Sequence, residues 1–86
     1  MRTEYNEGDL LTKEDIGLVF KGKNGKKWRI INFLLHKESY PFIGLSDCGS
    51  LMMGFSLHGI AQFSTYELVS FVGPYFTEDK KELPNV

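Results

Sequence analysis

The sequence predicts a mainly β fold: five or six short antiparallel strands in a small barrel or a strongly bent meander, with at most one short helical turn near the N-terminus. Three observations predict it. Short apolar and aromatic runs recur between residues 18 and 72. Turn signals cut those runs at Lys23-Asn24-Gly25-Lys26, Ser46-Asp47-Cys48-Gly49 and Leu57-His58-Gly59. Seven Phe, four Tyr and one Trp in 86 residues supply the bulk for a core, since each large ring buries roughly 150–250 Å².

Residues 1–8 are polar, lack periodicity and read as a loose N-terminal arm. Thr12-Lys13-Glu14-Asp15 approximates a capping box, with Asp in place of the usual Glu or Gln, and Gly17 holds the helix to a single turn. Leu18-Val19-Phe20-Lys21 is a β-prone run. Asn24-Gly25 then offers a two-residue hairpin turn of type I′, in which both residues take a positive φ.

The partner strand is Trp28-Arg29-Ile30-Ile31-Asn32-Phe33-Leu34-Leu35. Alternation sets Trp28, Ile30, Asn32 and Leu34 on one face and Arg29, Ile31, Phe33 and Leu35 on the other. After the polar His36-Lys37-Glu38-Ser39, the run Tyr40-Pro41-Phe42-Ile43-Gly44-Leu45 reads as the next strand. Pro41 belongs at its start or at a sheet edge because it has no N–H to donate. Leu51-Met52-Met53-Gly54-Phe55-Ser56 pairs back on it, and Gly54 suggests a bulge or bend.

Ile60-Ala61-Gln62-Phe63 extends the meander. Residues 66–72 supply a last strand, although their length also fits a short helix. Pro74 ends it, and residues 78–86 read as a frayed tail. The domain therefore spans residues 9–77. A sheet of this size and curvature closes most naturally as an SH3-like barrel, with an open meander carrying a helix on one face as the alternative.

Net charge is −1, but its distribution is uneven. Lys21, Lys23, Lys26, Lys27 and Arg29 form a basic block with no acid among them, placed on a turn. One cysteine, Cys48, cannot form an internal disulfide, so the reading is a cytoplasmic chain. The N-terminus has no apolar core of a secretory signal, and no apolar run approaches the length needed to cross a bilayer.

The layout Thr12-Lys13-Glu14-Asp15-Ile16-Gly17, Asn24-Gly25, Tyr40-Pro41-Phe42, Phe55-Ser56-Leu57-His58-Gly59 and Glu67-Leu68-Val69 resembles small, mostly uncharacterised accessory proteins encoded by phages and prophages. The likeness spans residues 10–72 and rests on turn residues and strand apolars. It departs at Ile60, where such proteins often carry a polar or basic residue. The resemblance implies a gene product that acts on host machinery in the host cytoplasm. It supplies no catalytic residue.

No acid, base and nucleophile converge in the sequence, so the expectation is a protein that is not an enzyme and needs no cofactor or metal. His36 and His58 lack further ligands at metal spacing. Cys48 reads as a turn cysteine, with Asp47 pushing its thiol pKa up. The leading expectation is a protein-binding module. Its contacts come from Tyr40, Phe42, Met52 and Met53, with Lys27 and Arg29 steering an acidic partner. Adjacent methionines on a strand point to opposite faces, so one of Met52 and Met53 must face out. The alternative is nucleic-acid binding through Lys21, Lys23, Lys26, Lys27, Trp28 and Arg29, with the cations on phosphates and the indole stacked on a base. Against that stand the small net charge and the tendency of a tryptophan beside Ile30 and Leu34 to join a core. A second copy of the chain is a further allowed partner.

Overall fold

A computed structural model describes residues 2–63 and 67–77. Five strands form one antiparallel sheet: β1 (Val19–Gly22), β2 (Lys27–Phe33), β3 (Phe42–Ser46), β4 (Met52–Phe55) and β5 (Leu68–Gly73). Their order is β4-β3-β2-β1-β5. Isolated bridges from Phe55 to Ala61 and from Ile60 to Glu67 join the two edges of the sheet at one end. The result is an open five-stranded sheet whose edge strands are linked at one end through residues 60–61. Residues 60–61 contribute only these bridges and no strand of their own.

The sole helical element among the described residues is a 3-10 turn at Lys13–Asp15. The Asp15 carboxylate accepts the Thr12 N–H at 2.9 Å, so Asp performs the back-bonding half of the capping box. The final element is a strand from Leu68, and Tyr66 lies outside the described residues. The expected tail at 78–86 lies outside them too.

The first hairpin turns where the sequence places it, by a different turn. The Gly22 N–H donates to Lys26 O and the Gly25 N–H to Gly22 O, which makes a three-residue loop. Gly25 has φ +85°, and no non-glycine residue among those described has positive φ. Asn24 is spared the left-handed region. Its side-chain oxygen instead accepts the Lys26 N–H at 2.9 Å. This is the three-residue alternative to type I′, with one left-handed residue at its end. The Ser56–Ile60 hairpin repeats it: Ser56 N–H donates to Ile60 O, Gly59 N–H donates to Ser56 O, and Gly59 has φ +79°.

The inner face carries the core. Phe20 stands opposite Trp28 on β1 and β2, and Phe42 opposite Phe55 on β3 and β4. Trp28 and Phe55 meet edge to face at 5.7 Å between centroids. Gly44 makes room for them, because a Cβ there would fall 2.6 Å from the Phe55 ring.

Simple alternation fails in β2. The pairing with β3 slips between Ile30 and Asn32, so Ile31 is bulged out. Beyond the bulge, Asn32 is exposed, while Phe33 joins the core and packs on the Phe42 ring at 4.8 Å. The extra residue reverses the faces expected for Asn32 and Phe33. Gly54, by contrast, holds register with Ile43 and forms no bulge with β3. It serves close approach, since a Cβ there would meet the Gln62 side chain at 2.6 Å.

Residues 2–8 are not a loose arm. Tyr5 is 2 % exposed and belongs to the core. Its ring meets Phe20 edge to face, and its hydroxyl lies 2.8 and 3.1 Å from the backbone carbonyls of Asp9 and His58, to which it donates. Arg2 grips the buried Asp15 carboxylate with two bonds, Nε at 2.8 Å and a terminal nitrogen at 3.0 Å. A polar sequence without periodicity conceals one core aromatic and one paired cation.

Candidate functional site: the outer face of the sheet

The side chains that point away from the core form an outer face. Register places Val19 opposite Arg29, Arg29 opposite Leu45, and Leu45 opposite Met52. These four positions make one cross-strand row, in which Val19 is fully buried, Arg29 and Leu45 are half-buried and only Met52 is exposed. Ile43 lies on the same face of β3, and the bulged Ile31 is exposed beside its register position. Met52 is 66 % exposed. Met53 turns the other way and packs against the core, which resolves the methionine pair as one out and one in.

Of the other sequence-derived contact residues, Tyr40 is half-buried just before β3. Phe42 is 1 % exposed and cannot serve as a surface anchor. Its position in β3, in step with Gly44 and Ser46, sets it inward. Pro41 is also buried, next to the strand rather than at an edge, and its carbonyl accepts the Leu34 N–H.

The basic block does not form a single cationic stripe. Trp28 is 2 % exposed, so no base can stack on it. Lys23 is bound to two acids, at 3.0 Å from Glu67 and 3.4 Å from Glu7. That ammonium holds the Glu67 carboxyl below its ordinary range. Lys27 Nζ donates to Phe76 O at 2.8 Å. Arg29 donates to Gly17 O at 2.7 Å and Pro74 O at 3.0 Å, with its guanidinium 5.1 Å from the Phe76 ring centroid. These two cations tie residues 74–76 to β2. Lys21 and Lys26 also have partners within the molecule. Sequence reasoning has no signal for this dispersal, because the partners of Lys27 and Arg29 lie far along the chain.

Cys48 sits exposed in the β3–β4 turn. Its sulfur lies 3.3 Å from Ser46 Oγ and 2.8 Å from Ser50 Oγ. Those hydrogen bonds bring the thiol down to about 7, and the opposing push from Asp47 is the smaller effect. The direction expected from the sequence is thus reversed, because the hydroxyls that fold back on the sulfur outweigh the neighbouring charge. Among the described residues, no group of three or more His, Cys, Asp or Glu is placed to hold a metal ion. No helix among them is long and apolar enough to cross a membrane.

Comparison with known proteins adds no relative: no family model, no curated protein and no solved structure matches the chain.

Proposed function

We propose that this chain is a small non-catalytic domain that binds another protein through the outer face of β2, β3 and β4. The observation that carries the reading is Met52, a large apolar side chain 66 % exposed on a sheet face. Leu45 stands beside it in register, with Ile43 and Ile31 close by. Single exposed apolar residues are ordinary, whereas a contiguous set on a rigid sheet marks an interface. A flexible thioether suits such a surface because it adapts to its partner. The resemblance to phage and prophage accessory proteins adds a role. The partner is then a protein of the host, which the domain inhibits or recruits in the host cytoplasm.

The test places a photo-crosslinking residue at position 52 and, in a second variant, at position 24 on the hairpin tip. Position 52 should capture a protein in the native cell, and Met52→Asp should abolish co-purification of that protein while the melting curve stays in place. Equal capture from both positions, or capture of nucleic acid from position 24 alone, would overturn the reading.

A further inference from the structure

We propose that Asn24-Gly25 is a site of spontaneous deamidation, held in check while the first hairpin is closed and released when it opens. Nothing in this depends on the outer-face interface. Both residues are exposed at the hairpin tip, and nothing lies within 4 Å of where a Cβ on Gly25 would sit. The Gly25 nitrogen can close a succinimide ring on the Asn24 side-chain carbonyl carbon. A following glycine has no side chain to hinder that closure, and attack within one chain runs at high effective concentration.

In the closed hairpin both reacting groups are occupied. The Gly25 N–H donates to Gly22 O at 2.9 Å. The Asn24 side-chain oxygen accepts the Lys26 N–H at 2.9 Å, which pins the carboxamide. Ring closure needs the Gly25 nitrogen to give its proton to solvent and turn toward the carboxamide carbon, so its bond to Gly22 must first break. Local opening of the hairpin frees both groups at once.

The chemistry consumes only water. The bond from Gly25 N to Asn24 Cγ forms, the bond from Cγ to Nδ2 breaks, and Nδ2 takes up a proton and leaves as ammonia. Water then opens the ring. Attack at Cγ breaks the new bond and leaves aspartate on an ordinary backbone. Attack at the main-chain carbonyl carbon breaks the original peptide bond and leaves isoaspartate, in which the chain runs through the side-chain carbon. A three-residue loop closes only at a set backbone length, and isoaspartate lengthens it by one carbon. The Gly22–Lys26 pairing that closes the loop is then lost, and Lys23 is drawn away from Glu7 and Glu67. The change is one-way.

The test is peptide mapping by mass spectrometry of the full chain aged at neutral pH in heavy-oxygen water. Asn24 should take up label, as isoaspartate more than aspartate. It should react roughly tenfold or more slowly than in a short peptide of residues 20–30, because the reaction waits on local opening. Lys23→Met and Glu67→Ala should each raise the rate in the full chain, and the second leaves the charge beside Asn24 in place. The isolated isoaspartyl form should melt below the native chain, whereas Asn24→Asp, which keeps the loop length, should melt close to it. Equal rates in chain and peptide, or no product even in urea, would overturn the proposal. So would a rate unchanged by both variants, or an isoaspartyl form that melts with the native chain.

Discussion

Gly25 shows how much one residue decides. At φ +85° it occupies backbone space that a β-branched residue resists, although nothing lies within 4 Å of where a Cβ would sit. Gly25→Val should therefore cost about 1 kcal/mol or more through backbone strain alone, read as a lower denaturant midpoint with an unchanged slope. Gly44 is the opposite case, with ordinary backbone and no space. Gly44→Ala drives a methyl into the Phe55 ring and should cost about 1–3 kcal/mol. Cys48 is a third kind of residue effect. With its thiol near 7, alkylation by iodoacetamide should reach half its maximal rate close to neutrality. Rates should rise with pH as the thiolate forms. Ser50→Ala should move that midpoint upward, and an unmoved midpoint would remove the hydroxyl from the explanation.

At the scale of elements, the segment before the first strand carries the main surprise. Breaking a buried ion pair by removing one partner costs about 3–5 kcal/mol. Asp15→Ala strands Arg2, which is partly exposed, so the lower end of that range applies. Hydrogen exchange should speed up over residues 2–11 more than in β2 and β3. The Glu7–Lys23–Glu67 cluster adds a pH-dependent latch between that segment, the first hairpin and the start of β5. Glu67 titrates below its usual value when folded. The contribution is thus complete above the ordinary glutamate range and fades as pH falls through the lowered value. The difference in melting temperature between the native chain and Lys23→Met should shrink on acidification.

These features mark where the sequence is legible. Strands are readable because apolar runs and glycine turns are local signals, and each of the five begins within two residues of its expected start. The bulge at Ile31 is not readable, since it depends on which partner residue β3 offers, and it reassigns Asn32 and Phe33. Tyr5 escapes notice because a single aromatic has no period. Phe42 is misplaced because alternation along β3 points the wrong way: the outward Ile43 and Leu45 are more apolar than the inward Gly44 and Ser46.

The whole molecule has two faces of different character. The inner face is aromatic and closed, while the outer one is divided between residues 74–76, tied down by Lys27 and Arg29, and the uncovered end of the row at Met52. Substitutions on the two should separate cleanly. Phe42→Ala empties the core and should cost about 3–5 kcal/mol, with any loss of binding arising from unfolding. Met52→Asp should leave the melting temperature nearly unchanged and act on binding alone, which calorimetry and the crosslinking assay together would check.

The pairing of β1 with β5 has a kinetic consequence. Val19 meets Gly73 and Gly22 meets Leu68, so the strand beside the first hairpin must wait for the end of the domain to be made. The first hairpin can form early, but it lacks its other neighbour until β5 has been synthesised. Folding should therefore be slow for so small a domain, on the scale of milliseconds to seconds typical of non-local β topologies. A ribosome-stalled chain ending at residue 66 should remain open to protease, and one that exposes β5 outside the exit tunnel should become protected in a single step. Protection appearing gradually, hairpin by hairpin, would mean that the strands acquire stability before the sheet is complete.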